Sequence, residues 1–452
     1  MTNQPATVDS LYDSLLQAAL RQFFERATLS ADTASPSADA RLAIEPSANP
    51  SALIIRWFGT RYTLRVPGRW AFSAHEVRLA QAIGSVLAAR YQAILNPRVI
   101  GERGDLFRGH IEDRYVGAFL DHKAYAVESR QSRADRIASL IEMLRVAALS
   151  SYENRAISTG VVFLGTAEDP FRPAGSPRAS APRYSQSLSG IKSFHRLADG
   201  IRTAFLVNND GRLIDVVDLE RWAGQVSQNH KLQVPCAKTY EAHARATLQH
   251  GHVCAVLSPS REIKIFAEGA QLFTFRAAAW HLLDLQAKYR LWAEAVGNEP
   301  LAMRIFQTAL DLADAREGAL FLIAGDSDDT SQLVAPADRL DLPMRPEGSR
   351  ASAPSRRDLL HVLEGRSATN LDASVFAALA SLDGATVIDR TGRLLAAGAI
   401  LRHPGREDFI DGVPIEGART TAAMAASRFG PVLKVSEDGV ITFLERERVW
   451  DI

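Results

Sequence analysis

Three consecutive residues, Asp383, Gly384 and Ala385, are the ones best suited to chemistry. A carboxylate followed by two residues with almost no side chain lets a metal-bound phosphate lie close to backbone N–H groups. The same residues are also typical of an ordinary turn in which Asp precedes Gly. On these three residues alone, both interpretations stay open.

The segment 382–401 must position this carboxylate, and its pattern predicts two buried strands joined by a tight turn. The first apolar run covers 385–388, and the second covers 394–401. Between them, Asp-Arg-Thr-Gly at 389–392 supplies a glycine where φ must be positive. We therefore expect the carboxylate at the entrance to a buried strand.

Composition limits the class of protein. The chain has 452 residues, 46% of them hydrophobic, which is enough for two or three domains with full cores. The 52 Lys and Arg balance the 52 Asp and Glu, so no net charge directs the chain to nucleic acid or to an anionic membrane. Two cysteines, Cys236 and Cys254, are too few for a disulfide framework, which suits a reducing compartment. Neither a signal-peptide pattern nor an apolar run of about 18 residues is present, so we expect a cytoplasmic protein with no membrane and no nucleic-acid partner.

Hydrophobic periodicity predicts a small N-terminal α/β region that begins with an amphipathic helix. Further along the chain, a long amphipathic helix connects two regions, and segments rich in Pro, Ser and Arg indicate loops. The predicted elements are helices at 9–28, 74–95, 114–150 and 277–295, strands at 52–66, and loops at 168–187 and 343–358.

The middle of the chain repeats the order of landmarks found in the C-terminal part. Each copy has an apolar strand entered through Gly, an Asp-Gly followed by two strands, a helix and a terminal β-hairpin. The landmarks are 159–164, 199–219, 240–248 and 252–269 in the first copy, and 317–322, 383–400, 416–426 and 431–447 in the second. Because the spacings differ, the alternatives are a diverged, degenerate duplication and a chance recurrence of short strand-turn-strand pieces.

The first copy lacks acids in its terminal hairpin. It has Ser258-Pro259-Ser260 where the second copy has Ser436-Glu437-Asp438, so we expect a regulatory or scaffolding role for it. Its histidines near Cys254 raise a zinc hypothesis. Their spacing fits no closed tetrahedral pattern, and histidines that face a sheet are the commoner explanation.

Four motifs stand in order from about residue 303 to the end: AREGALFLI, LDGATVIDRTGRLLAAGAIL, EGARTTAA and VLKVSEDGVITF. Together they resemble the diadenylate cyclase domain of the DNA-integrity-scanning type, over about a third of the chain. The upstream part also looks like the sensor domain found before such cyclase domains. The resemblance implies an α/β fold with a mixed sheet flanked by helices. With the periodicity and the repeated landmarks, it divides the chain into an N-terminal α/β region at 1–150, a sensor domain that is a possible degenerate cyclase-like repeat at 151–300, and a cyclase-like domain at 301–452.

The resemblance implies roles for the first group of residues. Asp383 would bind the catalytic metal and activate the ribose 3′-hydroxyl. The backbone at Gly384 and Ala385 would approach the nucleotide. Gly398 and Leu401 would line the adenine pocket.

The second motif of the family, Gly-Thr-Arg-His-Arg, stands here as Gly-Ala-Arg-Thr-Thr at 417–421, so that only Gly417 and Arg419 match. Arg419 would pair with triphosphate oxygens. Thr420 and Thr421 would donate hydroxyl hydrogen bonds at a helix N-terminus, where backbone N–H groups favour anions. The loss of one His and one Arg removes positive charge from this phosphate site.

In the last motif, Ser436 would contact phosphate, and Glu437 would serve as a metal ligand or positioning group. The catalytic set implied by the resemblance is thus Asp383, Arg419 and Glu437, with Mg²⁺ or Mn²⁺ held by the two carboxylates.

The reaction of this family joins two ATP molecules by in-line attack of a 3′-oxygen on an α-phosphorus, with pyrophosphate leaving. Because each domain binds one ATP, two domains must face each other, and we expect a homodimer or higher oligomer. Three functions compete. The first is a metal-dependent nucleotidyltransferase that makes cyclic di-AMP, or a related cyclic dinucleotide, under the control of an N-terminal sensor region. The others are a catalytically weak nucleotide-binding sensor on a cyclase fold and an unrelated α/β interaction protein.

Overall fold

The computed structural model describes residues 8–24, 27–32, 43–66, 71–123, 125, 132–166, 181–189, 191, 194–228, 230–325, 327–342, 359–402 and 417–452. The chain divides into two compact units. The first unit comprises Met1–Gln233 and Tyr240–Asp284, and the second comprises Val234–Thr239 and Leu285–Ile452. The sequence-based division into three domains stays a prediction. The predicted loop at 343–358 and most of that at 168–187 lie outside the described residues.

The N-terminal part of the first unit combines helices with a four-stranded antiparallel sheet. The helices of this part are α1 (Val8–Phe23), α2 (Ala74–Leu95), α3 (Pro97–Glu102), α4 (Ile111–Asp121) and α5 (Arg133–Leu149). The four strands of the sheet are β1 (Thr28–Asp32), β2 (Ala43–Pro46), β3 (Ala52–Trp57) and β4 (Thr60–Arg65), and a separate pair is formed by β5 (Ser151–Tyr152) and β6 (Arg155–Ala156). The sheet order is β1-β4-β3-β2. Helix α2 begins at a capping box between Ser73 and Glu76, and the strands predicted at 52–66 and the helix predicted at 74–95 are confirmed.

A seven-stranded mixed sheet occupies the rest of the first unit. Its strands are β7 (Thr159–Phe163), β8 (Thr203–Val207), β9 (Leu213–Asp218), β10 (Val253–Leu257), β11 (Ile263–Ala267), β12 (Ala270–Arg276) and β13 (Ala279–Leu282), with helices α6 (Gln186–Ser189), α7 (Leu219–Ser227) and α8 (Glu241–Arg245). The order is β13-β12-β11-β10-β7-β8-β9, and β7 and β8 run parallel. The central strands β7, β10 and β11 are buried throughout, which explains their continuous apolar sequence.

One predicted element of this region is wrong. The helix expected at 277–295 is a strand, β13, followed by a shorter helix, α9 (Leu285–Val296). Ala277 and Ala278 both have positive φ, +48° and +63°, and form the turn that pairs β12 with β13. Consecutive alanines favour a helix by propensity, but pairing with β12 overrides that preference.

The second unit is built on a six-stranded mixed sheet. Its strands are β14 (Ala319–Ala324), β15 (Ala385–Asp389), β16 (Leu394–Ala399), β17 (Val432–Val435), β18 (Ile441–Glu445) and β19 (Glu447–Asp451), and its helices are α9, α10 (Glu299–Ala315), α11 (Ser327–Leu333), α12 (Ala373–Ala380) and α13 (Ala418–Ala426). The order is β16-β15-β14-β17-β18-β19, with β14 and β15 parallel and the other pairs antiparallel. Both strands predicted within 382–401 are confirmed, as is their turn, where Gly392 has φ +95°.

The two mixed sheets have the same topology. Written from the opposite end, the first reads β9-β8-β7-β10-β11-β12, followed by the extra strand β13. Each strand then stands where its counterpart stands in the second sheet, and the single parallel pair falls at the same place. This shared strand order supports a diverged duplication over a chance recurrence, and the duplication itself stays a prediction.

A hydrophobic cluster of the second unit joins α11 and α13 to one face of the sheet. Its members are Leu320, Leu322, Ala324, Leu333, Val334, Ala385, Val387, Leu395, Ala396, Ala399, Leu401, Ala423, Ala426, Val432 and Leu444. The predicted α/β class with mixed sheets flanked by helices is thereby confirmed. Among the described residues, no helix has the length and apolar character needed to cross a bilayer.

Candidate functional site

The predicted site residues of the second unit converge on one edge of its sheet. Here and below, the edge is the one formed by the ends of the strands and not by an outer strand. Strands β14 and β15 run parallel, so both begin at this edge, whereas the antiparallel strands β16 and β17 end there. Asp383 and Gly384 enter β15, Gly398 lies near the end of β16, and Ser436 and Glu437 follow β17. Strand order therefore brings together residues from three separate stretches of sequence.

Two glycines bring strand ends into close contact at this edge. Gly384 has φ +118°, and a Cβ added there would lie 2.5 Å from the carbonyl carbon and oxygen of Gly398. Only glycine fits this position, because a side chain would meet backbone atoms. Ala385 is buried beside them, and the Asp383 side chain is exposed. Leu401 is buried in the hydrophobic cluster of the unit, so its predicted contact with adenine stays a prediction.

The predicted phosphate-binding arginine lies beside the first strand of the sheet. Helix α13 starts after Gly417, whose φ is +79°, and directs Arg419 towards the start of β14. The Arg419 guanidinium lies against Gly318, and a Cβ on that glycine would displace it. Arg419 Nη1 is also 3.5 Å from Glu437 Oε1. Because Glu437 is largely exposed, this ion pair is weak and leaves Arg419 able to bind another anion.

The two threonines that follow Arg419 have different partners. Thr421 Oγ1 donates to the Gly417 carbonyl oxygen at 3.3 Å, within the first turn of α13. Thr420 Oγ1 accepts a hydrogen bond of 3.2 Å from Nζ of Lys434, on β17. Burial lowers the pKa of Lys434.

Sequence reasoning missed Lys434 and Gly318. The signal for Lys434 is a charged residue inside the short strand β17, whose other residues are all buried. The signal for Gly318 is a glycine directly before a fully buried strand.

The hairpin between β17 and β18 holds the last predicted pair. Ser436 N donates to the Val440 carbonyl oxygen at 2.9 Å, and Ser436 Oγ donates to the same oxygen at 3.0 Å. Gly439 N closes the turn on the Ser436 carbonyl oxygen. Glu437 is therefore carried at the tip of a fixed turn, and the Ser436 hydroxyl must rotate before it can donate to phosphate.

The donor set is compatible with Mg²⁺ or Mn²⁺ bound together with a nucleotide. Within the described part of the chain, no group of three or more His, Cys, Asp and Glu side chains could hold a metal ion. Nucleotide-bound Mg²⁺ usually takes one or two carboxylates, with phosphate oxygens and water as the other ligands. Asp383 and Glu437, at the same sheet edge, are of this kind, and their metal-binding role stays a prediction.

No protein-family model and no curated protein matches this chain. Two solved structures show distant and partial similarity to it. A hypothetical membrane spanning protein from Bacillus cereus is 18% identical, with 37% of this chain and 71% of that chain covered and a TM-score of 0.26. DacA from Staphylococcus aureus, solved as a double mutant, is 19% identical, with 33% and 85% covered and a TM-score of 0.20.

The corresponding edge of the first unit is filled by its own side chains. His243, on α8, is fully buried, and its Nε2–H donates to the Gly200 carbonyl oxygen at 2.6 Å. The ring packs on Tyr240 and Phe266, with centroids 5.2 and 5.3 Å away. Burial lowers the pKa of His243 to about 4, so the ring is neutral at physiological pH.

The first-unit acid is used differently from Asp383. Asp199 Oδ1 accepts hydrogen bonds from the backbone N–H groups of Ile201, Arg202 and Thr203 at 2.9, 2.7 and 3.0 Å. Partial burial alone would raise the pKa of Asp199, but these donors outweigh it and lower the pKa to about 2. Asp199 also lies 12 residues before the turn glycine Gly211, whereas Asp383 lies 9 before Gly392 (211 − 199 and 392 − 383). The two acids are therefore not at equivalent positions.

The histidine run of the first unit has structural partners. His252 Nδ1 accepts a 3.0 Å hydrogen bond from Gly165 N, His243 binds Gly200, and Cys254 is a buried free thiol in β10. The described residues include no metal-binding cluster here. These contacts favour histidines with a role in the fold over the zinc hypothesis.

Proposed function

We propose that the second unit binds ATP at the edge of its sheet and is a nucleotidyltransferase that joins two ATP molecules into cyclic di-AMP or a related cyclic dinucleotide. One observation carries the proposal: Asp383, Gly384, Gly398, Arg419 and Glu437 converge on a single edge, although they come from separate stretches of sequence. The first unit, with its filled edge, would be the regulatory part of the chain.

The chemistry assigns a task to each group. The ribose 3′-oxygen attacks the α-phosphorus of the other ATP, and the bond to pyrophosphate breaks in line with it. Asp383 is exposed at the edge and would take the proton from the 3′-hydroxyl. The close approach of Gly384 and Gly398 would leave room for the nucleotide against bare backbone. Arg419 would hold the leaving polyphosphate with two parallel hydrogen bonds.

A divalent ion, Mg²⁺ or Mn²⁺, would neutralise the developing phosphate charge when bound. Asp383 and Glu437 would hold it, and Glu437 would then exchange its ion pair with Arg419 for the metal. Arg419 would be released towards phosphate by the same exchange.

The partner that follows from this chemistry is a second copy of the chain. Cyclisation needs two phosphoryl transfers and therefore two bound ATP molecules. Because His243 fills the corresponding edge of the first unit, that unit offers no second ATP site there. We therefore propose a homodimer or higher oligomer in which two second units face each other.

A specific observation favours a second candidate, a nucleotide-binding sensor with weak or no turnover. Arg419 already has a carboxylate neighbour, and the next two residues, Thr420 and Thr421, carry no charge. A site with fewer cations binds the ground state of ATP more readily than it stabilises the extra charge of a transition state.

Purified chain incubated with ATP and Mg²⁺ or Mn²⁺, with products identified by mass spectrometry, tests both candidates. A cyclic dinucleotide product that disappears in Arg419→Ala supports the cyclase. ATP binding without product supports the sensor, and absence of both rejects the site. Arg245→Ala is the matched control, because Arg245 is the helix arginine of the first unit and pairs with Glu220 there.

A further inference from the structure

Lys434 is a half-buried cation at the proposed phosphate end of the second unit. It lies on β17, paired with Leu320 on one side and Thr442 on the other. Val432, two residues earlier and hence on the same face of the sheet, belongs to the hydrophobic cluster beneath α13. The Lys434 side chain therefore rises on the α13 side, where its amine donates to Thr420 Oγ1 at 3.2 Å.

Two acids act on this amine from beyond ion-pair distance. Among the described residues, no carboxylate lies within ion-pair distance of Lys434, and the acids that act on it from further away are Asp451 and Asp438. Asp451 is 3.0 Å from Arg448, so that acid is already shared. A partly buried ammonium group without a counter-ion is unfavourable, and burial lowers its pKa accordingly. An anion at the start of α13 would relieve this cost.

The first unit shows that the fold does not require a lysine here. Its corresponding hairpin makes the same backbone bonds: Ser258 N donates to Glu262 O at 2.8 Å, as Ser436 N donates to Val440 O at 2.9 Å. Two residues before these serines stand Val256, which is fully buried, and Lys434. The same strand position thus accepts an aliphatic side chain in one unit and carries a cation in the other.

We infer that Lys434 is a phosphate-binding residue of the second unit, which supplies, together with Arg419, the positive charge that Thr420 and Thr421 do not carry. Its ligand is the polyphosphate of a nucleoside triphosphate, and Thr420 is a positioning residue that orients the amine. The inference rests on the proposed ATP site. Part of the positive charge of that site is then carried by strand β17 and not by helix α13.

Equilibrium binding of ATP, AMP and inorganic tripolyphosphate to the full chain tests this role. Lys434→Met should weaken ATP and tripolyphosphate binding by roughly 10- to 100-fold, the range expected for a hydrogen bond to an ionised donor, and AMP binding by less than about threefold. Lys434→Arg should retain most of the affinity. Arg448→Met is the matched control, because it removes an equal charge near Lys434 and should change ATP binding by less than about threefold.

A second pair of variants keeps the test decisive if Lys434→Met does not fold, which thermal unfolding would show. Thr420→Val removes the hydroxyl partner and keeps the amine, so it should weaken ATP binding by about threefold to tenfold, and Thr420→Ser should restore it. ATP binding by Thr420→Val equal to that of the wild type would then overturn the inference.

The outcomes separate this inference from the proposed function. If the wild type forms product and Lys434→Met binds ATP equally well, the role of Lys434 is overturned and the cyclase proposal stands. If the wild type does not bind ATP, the proposed function fails, and the role of Lys434 is then tested by tripolyphosphate binding alone. If Lys434→Met weakens tripolyphosphate binding, Lys434 is still an anion-binding residue. If tripolyphosphate does not bind, or binds equally well to Lys434→Met, the inference is overturned.

Discussion

The two units contain the same sheet with different chemistry at one edge. The six strands in the order β9-β8-β7-β10-β11-β12 match the six in the order β16-β15-β14-β17-β18-β19, in both position and direction. At the edge where the parallel strands begin, the first unit has a buried neutral histidine, and the second has an exposed carboxylate, an arginine and a lysine. The strands form a common scaffold, and the candidate function depends on side chains at strand ends and at the start of one helix.

The opposite edge shows how local this difference is. Asn208 and Asp389 occupy the same place in the turns that follow β8 and β15. Each accepts two backbone N–H bonds, from Asp210 and Arg212 in the first turn and from Thr391 and Arg393 in the second. Gly211 and Gly392 both have positive φ there, +77° and +95°. These two turns lie away from the site and are alike, so the difference at the proposed nucleotide site is not shared by the opposite ends of the same strands.

The largest expected effect comes from exchanging the carboxylates for amides. Asp383→Asn should lower product formation by about 1,000-fold while leaving the fold intact, because an amide of nearly equal volume neither accepts the proton nor binds the metal. Asp199→Asn in the first unit should leave turnover within about threefold of the wild type. Rates of product formation by mass spectrometry check both variants, and full turnover by Asp383→Asn would remove Asp383 from the active site.

The buried histidine predicts a pH effect confined to the first unit. Burial lowers the pKa of His243 from 6.5 to about 4, so the unfolded chain binds a proton in this range that the folded chain does not. Stability from this group is complete above pH 6.5 and is lost as the pH falls towards 4, by up to about 3 kcal/mol. His243→Gln keeps a donor for Gly200 but does not titrate. Urea unfolding at pH 7 and 4.5 should show a smaller acid loss for the variant, and equal losses would contradict the prediction.

A third test addresses the close backbone contact between Gly384 and Gly398 at the site of the second unit. Gly384→Ala should destabilise the second unit by about 2 kcal/mol or more, because the new Cβ would meet the Gly398 backbone at a positive φ. Gly365→Ala is the control, with φ +71° and open space around it, and should cost about 1 kcal/mol. Thermal unfolding compares the two variants, and equal costs would mean that the close approach has no energetic role.

The sequence was sufficient to predict strands β15 and β16 and their turn at 389–392. Their apolar runs are short, β-rich and bounded by turn residues, and Gly392 stands where φ is positive. The repeated order of landmarks could also be recognised in the sequence, because each landmark is a local pattern that survives changes in spacing.

Features that depend on pairing between distant segments could not be predicted in the same way. The sequence of β13 has the composition of a helix, and pairing with β12 determines that it forms a strand. The role of Lys434 depends on α13 lying over β17, which no local pattern encodes.

The prediction with the smallest expected effect distinguishes two kinds of phosphate site. One has too few cations, and in the other a residue on a strand supplies the cation that the helix lacks. Restoring charge on α13 by Thr421→Arg, which leaves the Thr420 partner of Lys434 in place, should change wild-type turnover by less than about threefold if Lys434 already neutralises the polyphosphate. The same substitution in a Lys434→Met background should recover most of the lost ATP affinity, because the helix then supplies the charge that the strand no longer does. ATP affinity and product formation, measured side by side, test both backgrounds. A large gain in turnover in the wild-type background, with no recovery of ATP affinity in the Lys434→Met background, would show that Lys434 contributes nothing to phosphate binding. The phosphate site of the second unit would then have too few cations.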